Sequence, residues 1–322
     1  MTTMEGRGFY YPMDAAIAGD GRIYVVNRSL GYANRGIRVT VLNIEGEYFG
    51  TFGSIGSGDG QFIWPNGIAL DRGGRVYVTD EFHHRISIFD DSGTFVTKWG
   101  VHGADRGELD GPSGIAFDLD DNVLLADTRN HRVQRFTKDG TFISAFGVAG
   151  SGDGELDLPW GITSNADGEV FVADWGNDRV QRFSPEGRFI ARYGESGGGD
   201  GQLVKPSSVA VDSDGYMYVA DWGNERLQVL SPDGAFVQKL RGQATLSEWA
   251  EDFLRTNTQE AEARSRADME PDMEFFNDDP HEESSHIEKL FWAPVSVILD
   301  DVGRVYVTEG NRHRIQVFER TS

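Results

Sequence analysis

The chemistry open to this chain rests on seven histidines, seven tryptophans, 30 basic and 52 acidic residues, and no cysteine. His281 and His286 stand five apart in HEESSH, whereas the H-E-x-x-H zinc motif uses a spacing of four to put both imidazoles on one helical face. No cofactor is expected, and a divalent metal held by that pair is kept only as the alternative. Without cysteine there is neither a disulfide framework nor a thiolate metal site. No G-x-S-x-G element and no Walker-type loop is present, so neither a nucleophile elbow nor a phosphate cradle is indicated. What remains is a set of aromatic and polar residues. Trp160, Trp175, Trp222 and Phe82 could form a stacking platform for a sugar, a peptide or an aromatic ring, while Asn66, His83, Arg129, His131 and Arg312 would add hydrogen bonds and charge. The alternative for Trp175 and Trp222 is that they wedge between neighbouring sheets.

The elements that must position these residues follow from a repeat. Pro65, Pro112, Pro159 and Pro206 lie 47 residues apart; Pro12 precedes Pro65 by 53 and Pro294 follows Pro206 by 88, excesses of six and 41. Fifteen residues after each proline stands Asn27, Asp80, Asp127, Asp174, Asp221 or Glu309. Twenty after it stands Arg85, Arg132, Arg179, Arg226 or Arg314, and Arg38 matches once the six extra residues are allowed for. Within a unit, four short runs alternate apolar and polar residues with turn formers between them, the pattern of a four-stranded antiparallel meander. One such sheet cannot bury both faces alone, so six copies predict an all-β, six-bladed propeller spanning residues 1–322. The last unit holds three such runs, and its fourth strand is expected from residues 4 to 9.

The residues P-x-G-I-A-x-D, V-Y-V-A-D-x-G-N-x-R-[IVL]-Q-V-F and D-G-x-F resemble the NHL repeat over nearly the whole chain outside residues 243–290. The resemblance implies a propeller and says little about function, because one fold hosts many sites. The peptidyl-hydroxyglycine amidating lyase, an enzyme this repeat resembles, uses zinc histidines directly after such prolines. Here Met13, Asn66, Ser113, Trp160, Ser207 and Val295 take those places, so that zinc site does not carry over.

A position that recurs in most blades performs the same architectural task in each, and differences between blades are more informative. The Asp/Glu and Arg series are therefore expected to serve turn hydrogen bonds and charge pairs, and His84, His131 and His313, which share one repeat position, to be structural. The residues after the prolines differ from blade to blade and are expected to open the inner strands at the channel mouth. Strand alternation brings the loops between second and third strands to the same face as the links between blades, and candidate site residues collect there. The Gly-Asp-Gly links themselves read as turns rather than calcium loops.

A formal net charge of −22 disfavours nucleic acid, whose binding relies on Lys and Arg. The N-terminus lacks a basic stretch followed by an apolar run, and no stretch approaches the ~18 apolar residues of a membrane span; no membrane contact and a cytoplasmic location are expected. Residues 243–290 carry 14 acids against four bases. Thr245-Leu-Ser-Glu248 reads as a capping box opening a helix that docks through Leu246, Trp249 and Phe253, while residues 268–285 are acidic and Pro-containing, a composition that orders weakly. This insertion is expected to be a lid, a partner arm or a self-association arm. The leading reading is a recognition propeller that binds a peptide, a protein or a small molecule at the loop face and channel mouth. The rival is a lidded lyase or hydrolase acting at that mouth.

Overall fold

The structure, a computed structural model, describes residues 8–29, 36–243, 246, 248–268 and 279–319. Each proline of the series opens the innermost strand of a blade: Pro12–Ile17, Pro65–Leu70, Pro112–Phe117, Pro159–Ser164, Pro206–Val211 and Pro294–Leu299. Proline is tolerated at a strand's first residue, where the missing N–H costs little. In blade four the chain continues antiparallel through Val170–Asp174, Arg179–Phe183 and Phe189–Tyr193, each strand pairing with the one before it. Blades one, two, three and five repeat this order, and the sixth has three strands among the described residues, ending at Arg314–Phe318. The six-bladed propeller expected from the repeat is the observed fold.

Stability is built at the joints. Each second strand, such as Val170–Asp174, is buried at every position because neighbouring blades cover both of its faces, whereas the outer strands, such as Phe189–Tyr193, are partly exposed. Six apolar clusters fill the six joints; between blades three and four, Leu124 and Val133 meet Leu156, Ile162, Val172 and Phe183. At the outer end Phe52, Trp99 and Phe146 pack on Phe89, Phe136 and Phe183 of the next blade, with ring centroids 4.8 to 4.9 Å apart. The seam between blades six and one is a smaller cluster of Ala15, Ile23, Val25, Leu42 and Tyr306.

The recurring acid and arginine pair in a polar lock in blades three to six, while in blade two Asp80 takes His83 and Arg85 bonds only the link carbonyls. In blade four Asp174 is fully buried and accepts from Asp157 N (2.7 Å), Asn177 Nδ2 (3.0 Å), Arg179 Nε (2.8 Å) and Gln181 Nε2 (2.9 Å). Arg179 also donates to the carbonyls of Ser151, Gly152 and Glu155, holding the incoming link. Arg85, Arg132 and Arg226 likewise reach a carbonyl 24 residues back, at Gln61, Glu108 and Gln202. The expected assignment of both series to joint architecture matches this geometry.

The lock also fixes the place of the N-terminal segment. Arg38 donates to Gly8 O, 30 residues back, which is 24 plus the six extra residues of blade one; Gly8 thus stands where the other blades have a link. Gly8 and Phe9 are not part of a strand, and residues 4–7, the rest of the expected closing strand, lie outside the described residues, as do residues 30–35 of the blade-one loop. The described part still meets blade six: Phe9 packs on the seam cluster, and Tyr11 N donates to His313 Nδ1 at 2.7 Å.

The inner strands come together in two ways. At Gly67, Gly114 and Gly161 a Cβ would lie 2.4 to 2.6 Å from the carbonyl oxygen of Ser113, Trp160 or Ser207 on the next blade, so only glycine permits that approach. The equivalent residues of the other three blades are Ser208, Ser296 and Asp14, whose side chains do the joining instead. Ser208 Oγ accepts from Val297 N (3.2 Å), Ser296 Oγ donates to Asp14 Oδ1 (2.5 Å), and Asp14 Oδ2 accepts from Ile68 N (3.0 Å).

The insertion holds α1 (Glu248–Thr256), α2 (Thr258–Arg266) and α3 (Pro280–His286). Thr245, Ser247 and the side chain of Trp249 lie outside the described residues, as do residues 269–278. Of the expected stripe, Leu246 and Phe253 are each 38% exposed, and the Trp249 side chain lies outside the described residues. Among the described residues, docking contacts are made by α3, at the end of the segment whose composition argued for weak order. Asp279 caps α3 by accepting from His281 N, and Pro280 occupies its first turn. The helix packs on the Trp222–Asn224 turn, with Arg241 paired to Glu283 and Arg312 donating to the carbonyls of Ser284 and Ile287.

Candidate functional site

The six inner strands surround a channel of about 430 Å³. Of the six residues after the prolines, Met13, Asn66, Ser113, Ser207 and Val295 are buried, and Trp160 is half-buried. Ser113 Oγ donates to Trp160 O and Ser207 Oγ to Pro294 O, so both bind the neighbouring blade rather than face the mouth. Asn66 differs. It lines the channel at 3% exposure, and its Nδ2 has no hydrogen-bond partner. Trp160, from blade four, packs against the cluster that blades one and two form around Met13 and Ile68, so its indole reaches across the mouth.

Above the channel lies the loop face. The residue that follows each recurring acid or Asn27 lies on this face, beside the start of an inner strand: Arg28 N and Glu81 N donate to the carbonyls of Tyr11 and Trp64, the residues before Pro12 and Pro65, and Thr128, Trp175, Trp222 and Gly310 are the equivalents. One side is charged, with Glu81 accepting from Arg28 (2.9 Å) and Arg129 (2.6 Å), and Arg129 also 3.5 Å from Asp110. Next to it the exposed Phe82 meets Trp64 edge-on at 5.4 Å, and Arg28 lies 5.0 Å from the Trp64 ring. The other side is aromatic: Trp175 and Trp222 are half-buried, 6.5 Å apart and tilted by 43°. They stand on the loop face where blades four and five meet and are only partly covered.

Three expected site residues are committed to the joints. His83 bonds Asp80 through Nδ1 (2.7 Å) and Ser57 through Nε2 (2.9 Å), the task that Asn130, Asn177 and Asn224 perform elsewhere. Arg312 holds the same column in blade six. His131 Nδ1 accepts the N–H of Leu158, the residue before Pro159; His84 does so for Gly111, Asp178 for Lys205, Glu225 for Ala293 and His313 for Tyr11. The position shared by His84, His131 and His313 is thus a backbone clamp. His84 also gathers with His102 and Asp110, their ligand atoms within 4.8 Å of one another. That grouping escaped the sequence reading because His102 lies in a link, where its counterparts are Ile55, Ala149 and Ser196. The Nδ1 lone pair of His84 is already taken by the Gly111 N–H, which leaves the trio ill-suited to a metal.

Two carboxyls near the site are perturbed. Asp14, in the channel wall, is pushed up to about 6, first by burial, against the hydrogen bonds from Ser296, Ile68 and Ala15. Glu225 is pushed up to about 7, first by burial, although its Oε1 lies 2.5 Å from His281 Nδ1. Trp292 Nε1 donates to His281 Nε2 at 3.3 Å, which assigns the imidazole proton to Nδ1 and directs it at Glu225. Because the folded value of Glu225 lies above its ordinary 4.5, its contribution is complete below that pH and is lost as pH rises through about 7. Amide exchange in α3, corrected for intrinsic rates, is therefore expected to speed up by about tenfold between pH 5 and 8, with Glu225→Gln flattening the profile. A slope that survives in the variant would assign it to other groups.

Among the described residues no helix is long and apolar enough to cross a membrane. Residues 62–89, 109–136 and 156–183, covering the core of blades two to four, match the NHL repeat family. Human NHL repeat-containing protein 3 is 31% identical over 93 residues, 28% of this chain and 25% of its own length. Protein lin-41 of Caenorhabditis elegans is 52% identical over 40 residues, 12% of this chain and 4% of its own length. The chain thus matches a quarter or less of each of these curated relatives. Among solved structures, a catalytically inactive histidine-to-alanine form of virginiamycin B lyase from Staphylococcus aureus, with quinupristin, aligns with a TM-score of 0.59 at 13% identity, over 98% of this chain and 82% of that one. At that identity the likeness is one of fold.

Proposed function

We propose, from the premise that the chain carries NHL repeats closed into a six-bladed propeller, that it is a recognition module binding a small molecule or a peptide end at the channel mouth. The observation that carries this reading is Asn66. Buried side-chain donors in native proteins almost always have partners, and Asn66 Nδ2 has none, while Asn66 and Trp160 both line a channel of ligand size. Nδ2 is shielded from solvent, and a rotation of the Asn66 side chain would present it to a carbonyl or carboxylate oxygen of a ligand whose apolar part lies against Trp160. The docked insertion, beside Trp222, then acts as a lid or partner arm. The test is a fragment and short-peptide screen on the full chain by thermal shift, repeated with Asn66→Ala and Trp160→Ala. Mouth ligands should lose about tenfold or more in affinity in either variant. Ligands that bind both variants as well as the parent would place recognition elsewhere.

A second reading, a lidded lyase or hydrolase, is favoured by Asp14. It is the only carboxylate among the residues lining the channel, and its shift to about 6 suits proton transfer near neutrality. Its bond to Ser296 and its contact with Ile68 N also make it a structural tie. Conversion of a bound ligand by the parent and not by Asp14→Asn would move the protein into this class.

A further inference from the structure

We propose that the aromatic side of the mouth, Trp175 and Trp222 with Lys205, is a subsite for a flat aromatic ring bearing a carboxylate. This inference rests on the recognition reading and supplies its ligand class. The two indoles are half-buried, 6.5 Å apart and tilted by 43° at the joint of blades four and five; Lys205 lies over the Trp175 ring and α3 packs on the Trp222 turn, so a ligand ring would stack on the part of the indoles that these leave exposed. Lys205 supplies the charge. It is the residue before Pro206, and its backbone is held in the left-handed region (φ 50°) with its N–H clamped by Asp178 Oδ1 at 2.7 Å. That clamp recurs around the ring, so the main chain is fixed by architecture and the side chain is left for another task. The exposed ammonium lies 4.7 Å from the Trp175 ring centroid.

The charge pattern singles this lysine out. In a chain of net charge −22, Lys98, Lys138 and Lys239 pair with Asp59, Asp121 and Asp200 at 2.5 to 2.9 Å. Lys205 has no carboxylate within ion-pair distance among the described residues. The nearby acids are engaged elsewhere: Asp178 holds Lys205 N and Ser196 Oγ, and Asp157 faces His131. A cation beside two partly exposed indoles matches an aromatic acid or a peptide ending in an aromatic residue, which share a ring and an anionic carboxylate.

The experiment is quenching of protein tryptophan fluorescence by N-acetylphenylalanine, its neutral amide, and Gly-Gly-Phe with a free C-terminus, on the full chain. The carboxylate is expected to bind about tenfold more tightly than the amide. Lys205→Gln, an exposed substitution, should erase that preference, and Trp222→Ala should weaken both ligands. Tighter binding of the tripeptide would assign the subsite to peptide ends, and the reverse to free aromatic acids. Equal affinity for acid and amide, a preference that persists in Lys205→Gln, or no binding of any probe would overturn the inference. Equal affinity that is lost in Trp222→Ala would leave the mouth standing as a binding site and remove only the charge.

Discussion

Asp174→Ala is expected to lower the unfolding free energy by about 3–5 kcal/mol, the usual cost of breaking a buried ion pair by removing one partner. The intact pair is worth far less than this. The carboxyl of Asp174 titrates above its ordinary value, first through burial and against the donors around it, so the lock offsets a desolvation cost more than it adds net stability. Without the carboxylate, Arg179, Gln181, Asn177 and the Asp157 N–H lose one acceptor together. Blade one shows what a neutral lock requires. There Asn27 replaces the acid and Thr40 replaces the glutamine, with Asn27 Nδ2 donating to Thr40 Oγ1 at 3.2 Å and Asn27 Oδ1 accepting from Tyr10 N at 2.8 Å. Asp174→Asn combined with Gln181→Thr should consequently cost less than the sum of the two single changes. Urea unfolding of the parent and the four variants measures both quantities. A fully stable Asp174→Ala that loses ligand binding would show the acid series to be functional.

Most of the fold was legible because the repeat is metrical. Prolines 47 residues apart, an acid at fifteen and an arginine at twenty fix strand order and joint chemistry without any knowledge of contacts. The site was less legible, since comparing blades detects difference and not exposure. His83 and Arg312 differ from Asn130, Asn177 and Asn224 yet perform their task, because three side-chain types can bond the same link. Asp14 was passed over one residue beyond the position compared; its signal was that it stands where Gly67, Gly114 and Gly161 do. In the insertion, α3 carries no apolar stripe to mark it in the sequence, and its docking is polar and follows from Glu225. Unlike the histidines of its column, Glu225 has a second oxygen free after clamping the Ala293 N–H, and that oxygen takes His281.

Removing the insertion is expected to leave the ring folded and to weaken mouth ligands by about tenfold or more. The boundaries come from the joint contacts rather than from composition. Gln243 N donates to Gln316 Oε1 (2.7 Å), Phe291 N to Arg241 O (2.6 Å), and Arg314 to the carbonyls of Glu288 and Leu290 (3.0 and 3.2 Å). Residues 241–243 and 288–293 are therefore link and should stay. With a spacer of about three Gly or Ser residues they restore the length of residues 100–111, the link that serves blades two and three. Phe291, Val297, Val307 and Phe318 keep the joint core, so the melting temperature should move by only a few degrees, about that expected for losing exposed ion pairs and one docked helix. Ligand binding should change more, because α3 packs on the turn that carries Trp222 and is tied to Trp292 through His281. Titration of N-acetylphenylalanine into the shortened chain, alongside sedimentation, separates the outcomes. Unchanged affinity rejects the lid, and unchanged affinity with a shift from oligomer to monomer makes the insertion a self-association arm.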